Sequence, residues 1–435
     1  MNVIKDSNEL NNVIENLNKK HFDAALKKLN KITVDFSNKN LIIKLFASIY
    51  FQKKDWENSI KYYEQVLSFE NEKFKTYNNI GVALFNLGKI NHSIKAYNKS
   101  IKENSNFDLA YNNLGISYTE LGAYEKAVNN FAFALNLNNN NHGAKNNLIN
   151  TFLFIKPKNV NLHYLIKLND KINNIDNRIN INNPIKLEDI KKILNESDNV
   201  INNHKNNFHF NETQIYRKNS VNLNCNRHFK VFNEFNIIPK YCFSCYKIQI
   251  NLKNVVDLIK LFFVFDNLIL EKNNIRKCIV EIRPNIIGNY KGYIYCESLD
   301  DAIKNFDIIS NIITFEQIKI SIKHGCSEFY ETHPDYKKIN FNGTQKLKYN
   351  NDWSNKESII DNRTPIRDEL DKKIIHHSVK GINLSDILII RNWISYATLI
   401  GDFSYKDIYN ESIRSNFISS ILDPQLDFRK KDLLK

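Results

Sequence analysis

A 34-residue repeat in the N-terminal third of the chain most constrains the fold. The stretch 77–81, Tyr-Asn-Asn-Ile-Gly, recurs at 111–115 as Tyr-Asn-Asn-Leu-Gly. Further positions match at the same spacing: Leu84 with Tyr118, Gly88 with Gly122, Ser93 with Ala127, and Tyr97 with Phe131. One period upstream the same slots hold Ile43, Phe46, Ala47, Tyr50, Ser59, Tyr63, Val66 and Leu67. A period of this length predicts stacked pairs of antiparallel helices.

This pattern resembles the tetratricopeptide repeat, in which small residues let paired helices approach and aromatic residues fill the space between successive pairs. The small residues are Gly81, Gly115, Ser93 and Ala127. Ala25 and Leu29 fit a divergent first repeat, and 144–154 fits only the first helix of a pair before Pro157. The resemblance therefore implies an α-solenoid with a capping helix over residues 1–156.

Asparagine recurs at one slot of three successive repeats, at Asn79, Asn113 and Asn147. This is similar to the asparagine ladder of O-linked N-acetylglucosamine transferases, which holds an extended peptide by its backbone. An amide side chain suits this role because it offers both a donor and an acceptor to a peptide group. Leu45 interrupts the series upstream, and asparagine is frequent throughout the chain. The ladder predicts a protein or extended peptide as partner.

Composition bounds the function only loosely. The 435 residues carry a formal charge of +14, with 42% hydrophobic residues and 12% aromatic residues. Lysine and asparagine are spread throughout, which argues against nucleic acid as the main partner without excluding it. Residues 1–7 lack the apolar core of a signal peptide, and the most apolar run, 255–270, contains charged residues. We therefore expect a cytoplasmic protein with reduced thiols and no membrane span.

In the second half of the chain the hydrophobic residues no longer follow the 34-residue repeat. Residues 157–211 form a polar linker with one predicted helix over 185–203. Residues 212–345 then alternate between strands and helices in the order β-α-β-β-α-β, which predicts a ferredoxin-like α/β domain. The stretch after the fourth strand is predicted as loop through Trp353. Residues 346–435 predict a helical extension, with helices near 366–377 and 384–400 and a solvated basic end. The fold class is therefore α plus α/β.

One segment of this domain looks like the third strand of an RNA-recognition motif. It runs Lys-Gly-Tyr-Ile-Tyr-Cys-Glu-Ser over 291–298. Cys296 stands where an aromatic residue belongs, and the first strand has no exposed ring except Tyr246. Because base stacking needs such rings, RNA binding through the sheet is kept only as an alternative.

Cysteine and histidine spacing predicts a metal site. Cys225-x2-His228 and Cys242-x2-Cys245 are two chelating pairs separated by thirteen residues, as in structural zinc sites. In a β-α-β-β-α-β sheet, residues beside the starts of the first two strands and the ends of the last two meet at one edge. The predicted ligands, drawn from the two pairs and this edge, are Cys225, His228, Cys242, Cys245, Cys296, His324 and Cys326. Cys278 lies at the same edge.

Zinc is the expected metal, with an iron–sulfur cluster as the alternative. Two other interpretations stay open: a redox pair of Cys242 and Cys245, and cysteines that serve as small buried hydrophobes. Acid–base groups and cationic groups for an anionic substrate lie near this edge. They are His324, Glu328, Glu331, His333 and Asp335, and Arg227, Arg283 and Lys323, respectively. No nucleotide-cradle or serine-hydrolase motif is present, so no catalytic residue is assigned.

The sequence thus predicts a peptide-binding repeat protein that carries a metal- or thiol-containing α/β domain of unknown activity. One alternative is an enzyme that modifies a protein recruited by the repeats. Another is an assembly adaptor whose cysteines are structural.

Overall fold

The computed structural model describes residues 2–34, 38–181, 183–202, 208, 210–217, 223, 225–313, 318–339, 347–363, 377–409 and 413–434. The chain divides into two compact units. Residues up to 151 form the first, and residues 152–363 with the C-terminal residues from 377 form the second.

The first unit is a series of antiparallel helix pairs. Its helices are α1 (Asn2–Asn18), α2 (Phe22–Leu29), α3 (Lys39–Lys53), α4 (Trp56–Val66), α5 (Lys73–Asn86), α6 (Ile90–Glu103), α7 (Asp108–Glu120), α8 (Tyr124–Leu137) and α9 (His142–Thr151). Each helix packs against the next. A Cβ at Gly115 would lie only 2.5 Å from Cε1 of the buried Phe131 ring, which explains the small residue at this slot.

A residue in the left-handed backbone region ends the first helix of every pair. These residues are Lys20 (φ 60°), Lys54 (φ 64°), Gly88 (φ 73°) and Gly122 (φ 65°), each 34 positions after the last. Glycine adopts this conformation without strain, whereas a lysine Cβ crowds the backbone. The repeat geometry therefore extends to the first pair, α1 and α2, although the glycine is missing there.

Replacing Lys54 by glycine should stabilise the array by about 0.5–1 kcal/mol, because it relieves the left-handed strain. Gln52→Gly, two residues earlier on an exposed turn of α3, should instead cost about 1 kcal/mol. Urea unfolding of the full chain, followed by circular dichroism, measures both changes. A Lys54→Gly variant that is less stable than the parent would contradict the assignment.

The second unit is built around an antiparallel sheet. Its elements are α10 (Tyr164–Asn173), α11 (Leu187–Asn202), β1 (Gln214–Arg217), α12 (Cys225–Phe235), β2 (Tyr246–Leu252), α13 (Val255–Asn267), β3 (Arg276–Val280), β4 (Tyr290–Cys296), α14 (Leu299–Ile312), β5 (Lys319–His324), α15 (Asn351–Arg363), α16 (Leu384–Ile400), α17 (Asn416–Leu422) and α18 (Leu426–Leu433). The strand order is β1-β3-β4-β2-β5. The elements from β2 to β5 follow the predicted chain order, whereas β1 is an additional edge strand that was not predicted.

Side chains alternate between the two faces of this sheet. Ile248, Ile250 and Ile294 are buried on the face that α13 and α14 cover. Gly292 lies on the same face, where Leu261 of α13 leaves no room for a side chain. The cross-strand register puts the alternate side chains on the opposite face, which we call the polar face. They include Tyr216, Lys247, Gln249, Lys277, Tyr293, Tyr295, Ser321 and Lys323.

Two predictions for the C-terminal region were wrong. The basic end is not a solvated tail but α18, whose Arg429 is fully buried and donates hydrogen bonds to the carbonyl of Ile286 at 2.7 Å and to Gln425 at 2.9 Å. The stretch predicted as loop up to Trp353 contains the start of α15. The helix predicted near 366–377 falls almost wholly outside the described residues, whereas α16 occupies the predicted range. In the described segments, no helix combines the length and the apolar character of a membrane span.

Candidate functional site

The asparagine ladder of the first unit is held in place by a second asparagine in the preceding repeat. Asn113 Nδ2 donates a hydrogen bond to Asn78 Oδ1 at 2.9 Å, and Asn147 Nδ2 donates to Asn112 Oδ1 at 3.0 Å. Asn78 and Asn112 are buried. The repeated Asn-Asn pair at 78–79 and 112–113 is visible in the sequence, but nothing in the sequence shows that its first residue holds the ladder in place.

The first rung is held differently. Asn79 Nδ2 donates to the Tyr63 hydroxyl at 3.1 Å, while the slot one repeat earlier is Leu45, which is buried. Within the described residues, the Oδ1 atoms of Asn79, Asn113 and Asn147 accept no hydrogen bond. Each fixed side chain therefore leaves one oxygen available to a backbone N–H of a ligand.

In the second unit, four thiols line one enclosed cavity of about 10 Å³, which is room for about one water molecule. The predicted ligands around it are Cys225, His228, Cys242, Cys245 and Cys326. They come from the first turn of α12, from the 3-10 turn Lys240–Ser244 and the residue after it, and from the loop after β5. The structure thus brings five of the seven predicted ligands to one place.

The other two predicted ligands lie elsewhere. Cys296 is on the helix-covered face, where its Sγ is 3.9 Å from Asn305 Nδ2. The His324 ring lies between two backbone carbonyls, those of Tyr336 at 2.7 Å and Phe243 at 3.0 Å. Both ring nitrogens are therefore engaged. Cys278 is buried on the helix-covered face as well.

Burial favours the neutral form of the thiols around the cavity. Burial raises the pKa of Cys245 to about 11, although Lys247 opposes the shift. Burial also raises the pKa of Cys242, and the neighbouring Cys245 adds to it. Lys247 Nζ lies 3.2 Å from Cys326 Sγ and donates a hydrogen bond to it. In the part of the chain that the structure describes, no three His, Cys, Asp or Glu side chains are placed to hold a metal ion. The donor set suits zinc, but the side-chain positions do not.

The candidate acid–base groups do not converge. Glu328 pairs with Arg283 at 2.9 Å, and Asp335 pairs with Lys338 at 3.1 Å. His333 Nε2 lies 2.9 Å from the Asn236 carbonyl. Two of the proposed anion-binding cations, Arg227 and Arg283, are likewise taken up by carboxylates. Lys323 is the third, and its Nζ donates to Ser327 at 3.1 Å.

A buried ion pair borders the polar face. Glu281 is 1% exposed and accepts hydrogen bonds from Lys291 Nζ at 2.8 Å and from Arg283 at 2.9 Å. Burial alone would raise the pKa of Glu281. The two cations outweigh burial and lower the pKa to about 2.

A lowered carboxyl pKa contributes stability that is present above the unfolded-state value and lost as the pH falls towards the folded value. Glu281→Gln should therefore cost about 3 kcal/mol at pH 7, and the difference from wild type should shrink as the pH falls from about 4.5 towards 3. Urea unfolding at pH 7, 4 and 3 measures this difference. The exposed Glu331→Gln serves as control. A cost for Glu281→Gln that does not change with pH would show that Glu281 is not ionised in the fold.

Residues 45–73, 74–107 and 109–141 each match the family model of the tetratricopeptide repeat. The N-terminal unit is therefore a tetratricopeptide repeat array, and the resemblance inferred from the 34-residue period is confirmed. No curated protein matches the chain.

Three of the solved structures that resemble the chain each cover about a third of it. MamA is 18% identical over 32% of this chain and 81% of its own, with a TM-score of 0.29. The first tetratricopeptide domain of Spaghetti (RPAP3), bound to an HSP90 peptide, is 26% identical over 28% of this chain and 94% of its own, with a TM-score of 0.25. PilF of Pseudomonas aeruginosa is 13% identical over 35% of this chain and 69% of its own, with a TM-score of 0.31.

Proposed function

We propose that this protein recruits a protein partner by binding an extended peptide along the first helices of its repeat array. The observation that carries the proposal is the set of three fixed asparagines whose Oδ1 atoms accept no hydrogen bond within the described residues. Successive rungs are one repeat apart, so together they would accept N–H groups spread along an extended chain. Because such contacts involve the peptide backbone, they would tolerate varied side chains.

The middle rung gives the sharpest test. Asn113→Ala removes one acceptor and should weaken binding about 5- to 10-fold, the effect of one lost hydrogen bond. The probe is an extended decapeptide selected on the full wild-type chain from a displayed random library, with affinity measured by fluorescence anisotropy.

Asn130→Ala is the matched control, since this half-buried asparagine lies on the second helix of its pair, where its Nδ2 donates a hydrogen bond to the Lys126 carbonyl. It should bind the peptide as wild type does, and circular dichroism should show both variants folded. Equal affinities for the Asn113→Ala and Asn130→Ala variants would contradict the ladder.

For the second unit we propose a ferredoxin-like arrangement of β2, α13, β3, β4, α14 and β5. The neighbouring order β3-β4-β2-β5, with every pair antiparallel, supports it. Strand β1 and the helices after β5 would then be additions. This arrangement hosts many functions, so it does not by itself name an activity.

We also propose that the thiol cavity binds zinc through Cys225, Cys242, Cys245 and Cys326. Four thiols around a volume of one small ion support this proposal. The thiols would have to rotate towards a common centre. Lys247 would then donate to a metal-bound sulfur and offset part of the negative charge of the site.

Elemental analysis of the full chain, purified without oxygen, should find about one zinc per chain if four thiolates close a tetrahedral site. Cys245→Ser should lose the zinc, whereas Cys278→Ser, a buried cysteine outside the cavity, should keep it. Wild-type protein that contains neither zinc nor iron would refute the metal proposal.

A further inference from the structure

The polar face carries a row of lysines and tyrosines, of which the zinc proposal uses only Lys247. In the cross-strand register, Lys247 lies opposite Tyr295 on one side and Lys323 on the other. Lys277 lies opposite Tyr293 on one side and Tyr216 on the other. Three lysines from three strands thus form one half-buried cluster, which we call the lysine cluster.

Tyrosine rings surround these ammonium groups but do not neutralise them. Lys277 Nζ lies 5.4 Å from the centre of the Tyr293 ring and 5.9 Å from that of Tyr295. Lys247 Nζ lies 5.1 Å from the centre of the Tyr295 ring. Such contacts stabilise each ammonium and leave its charge in place.

No carboxylate among the described residues pairs with Lys247, Lys277 or Lys323. The nearest acidic groups, Glu281 and Glu328, are engaged by Arg283 and Lys291. Directly opposed like charges destabilise a sheet, and Lys247 faces Lys323 in this way. Burial, together with Lys247 and Arg283, lowers the pKa of Lys277 to about 8. The lysine cluster therefore lacks a counter-charge. An anionic ligand would supply one.

A second observation limits the kinds of ligand that fit the polar face. Gln249 lies on the same face, two residues after Lys247 in β2. Its Nε2 donates a hydrogen bond to Asn251 Oδ1 at 2.7 Å. Its Oε1 is buried and accepts no hydrogen bond in the described structure. A fully deprotonated anion has no donor for this oxygen, whereas a ligand with several hydroxyl or amino groups does.

We propose that the polar face binds a nucleotide. The phosphate lies at Lys247, Lys277 and Lys323, a sugar hydroxyl or base amino group donates to Gln249 Oε1, and the base packs against tyrosine rings. Lysine is well suited to phosphate as a point charge, and aromatic rings stack on bases of any sequence. The same chemistry is met by a free nucleotide and by a nucleotide within a single strand, and the experiment distinguishes them.

Isothermal titration of the full chain at 0.15 M salt compares four probes: uridine monophosphate, uridine, inorganic phosphate and octauridylate. Uridine monophosphate should bind, whereas uridine and inorganic phosphate should each bind at least about 10-fold more weakly. If the affinity of octauridylate per site is no higher than that of uridine monophosphate, the ligand is a free nucleotide. Octauridylate that binds at least about 100-fold tighter identifies a single strand.

Lys277→Gln should weaken the binding of uridine monophosphate about 10-fold or more, and Lys323→Gln should do the same. Lys304→Gln is the matched control, because this exposed lysine lies on α14 at the other side of the sheet. Removing one of several like charges should leave the variants folded. The midpoint of thermal unfolding, measured without ligand, checks that each variant is folded. A second readout is the ligand-induced rise in thermal midpoint, which should be lost only in the cluster variants.

Three results would overturn the proposal. One is that neither uridine monophosphate nor octauridylate binds. Another is that inorganic phosphate binds as tightly as the nucleotide, since the Gln249 and tyrosine contacts would then contribute nothing. The third is that Lys304→Gln weakens binding as much as Lys277→Gln, which would indicate non-specific attraction to a basic protein.

Discussion

Charge pairing inside the C-terminal unit is the constraint on which its architecture depends. The Arg217 guanidinium, 5% exposed, bonds Asp266 at the end of α13 and both carboxylate oxygens of Asp386. Asp386 also closes the capping box of α16 with Asn383. One cation therefore joins the edge strand β1 to two helices. Removing one partner of such a buried pair costs about 3–5 kcal/mol, because the other charge is left uncompensated.

The lysine cluster departs from this rule. Arg217, Lys291 and Arg429 are all buried, and each has carboxylates or carbonyl groups around its cationic head. Lys247 and Lys277 have tyrosine rings and a thiol instead. The fold surrounds these three buried cations with acceptors, and it gains no stability from leaving Lys247 and Lys277 without a counter-charge. A binding role accounts for the difference, because functional sites are where local energetic rules are broken.

The sequence was most informative where one residue type decides the geometry locally. The 34-residue period and the glycine slots predicted the repeat array, since each slot reports a packing distance within one helix pair. It was least informative where distant segments supply the partners. Arg429 lies in a polar stretch typical of a solvated end, yet carbonyl groups about 140 positions earlier make it a buried residue. Helix α15 was missed because it lacks an apolar stripe.

The candidate sites show the same limit. Residue spacing predicted the two chelating pairs, which supply four of the five predicted ligands at the cavity. Strand topology placed the second pair beside Cys326, because strand ends fix where neighbouring loops meet. It could not exclude His324 or Cys296, since their partners are a carbonyl and an amide from other segments. Nor could it find the lysine cluster, because Lys247, Lys277 and Lys323 are ordinary alternating residues until the register is known.

Lys247 belongs to both candidate sites of the second unit and couples them electrostatically. Its ammonium donates to Cys326 beside the thiol cavity and also lies over the Tyr295 ring on the polar face. Thiolates bound to a metal would place negative charge next to this ammonium and reduce its attraction for a phosphate. Neutral thiols would leave its charge available to a ligand. Metal in the cavity would therefore oppose phosphate binding at the polar face, because both act through the charge around Lys247.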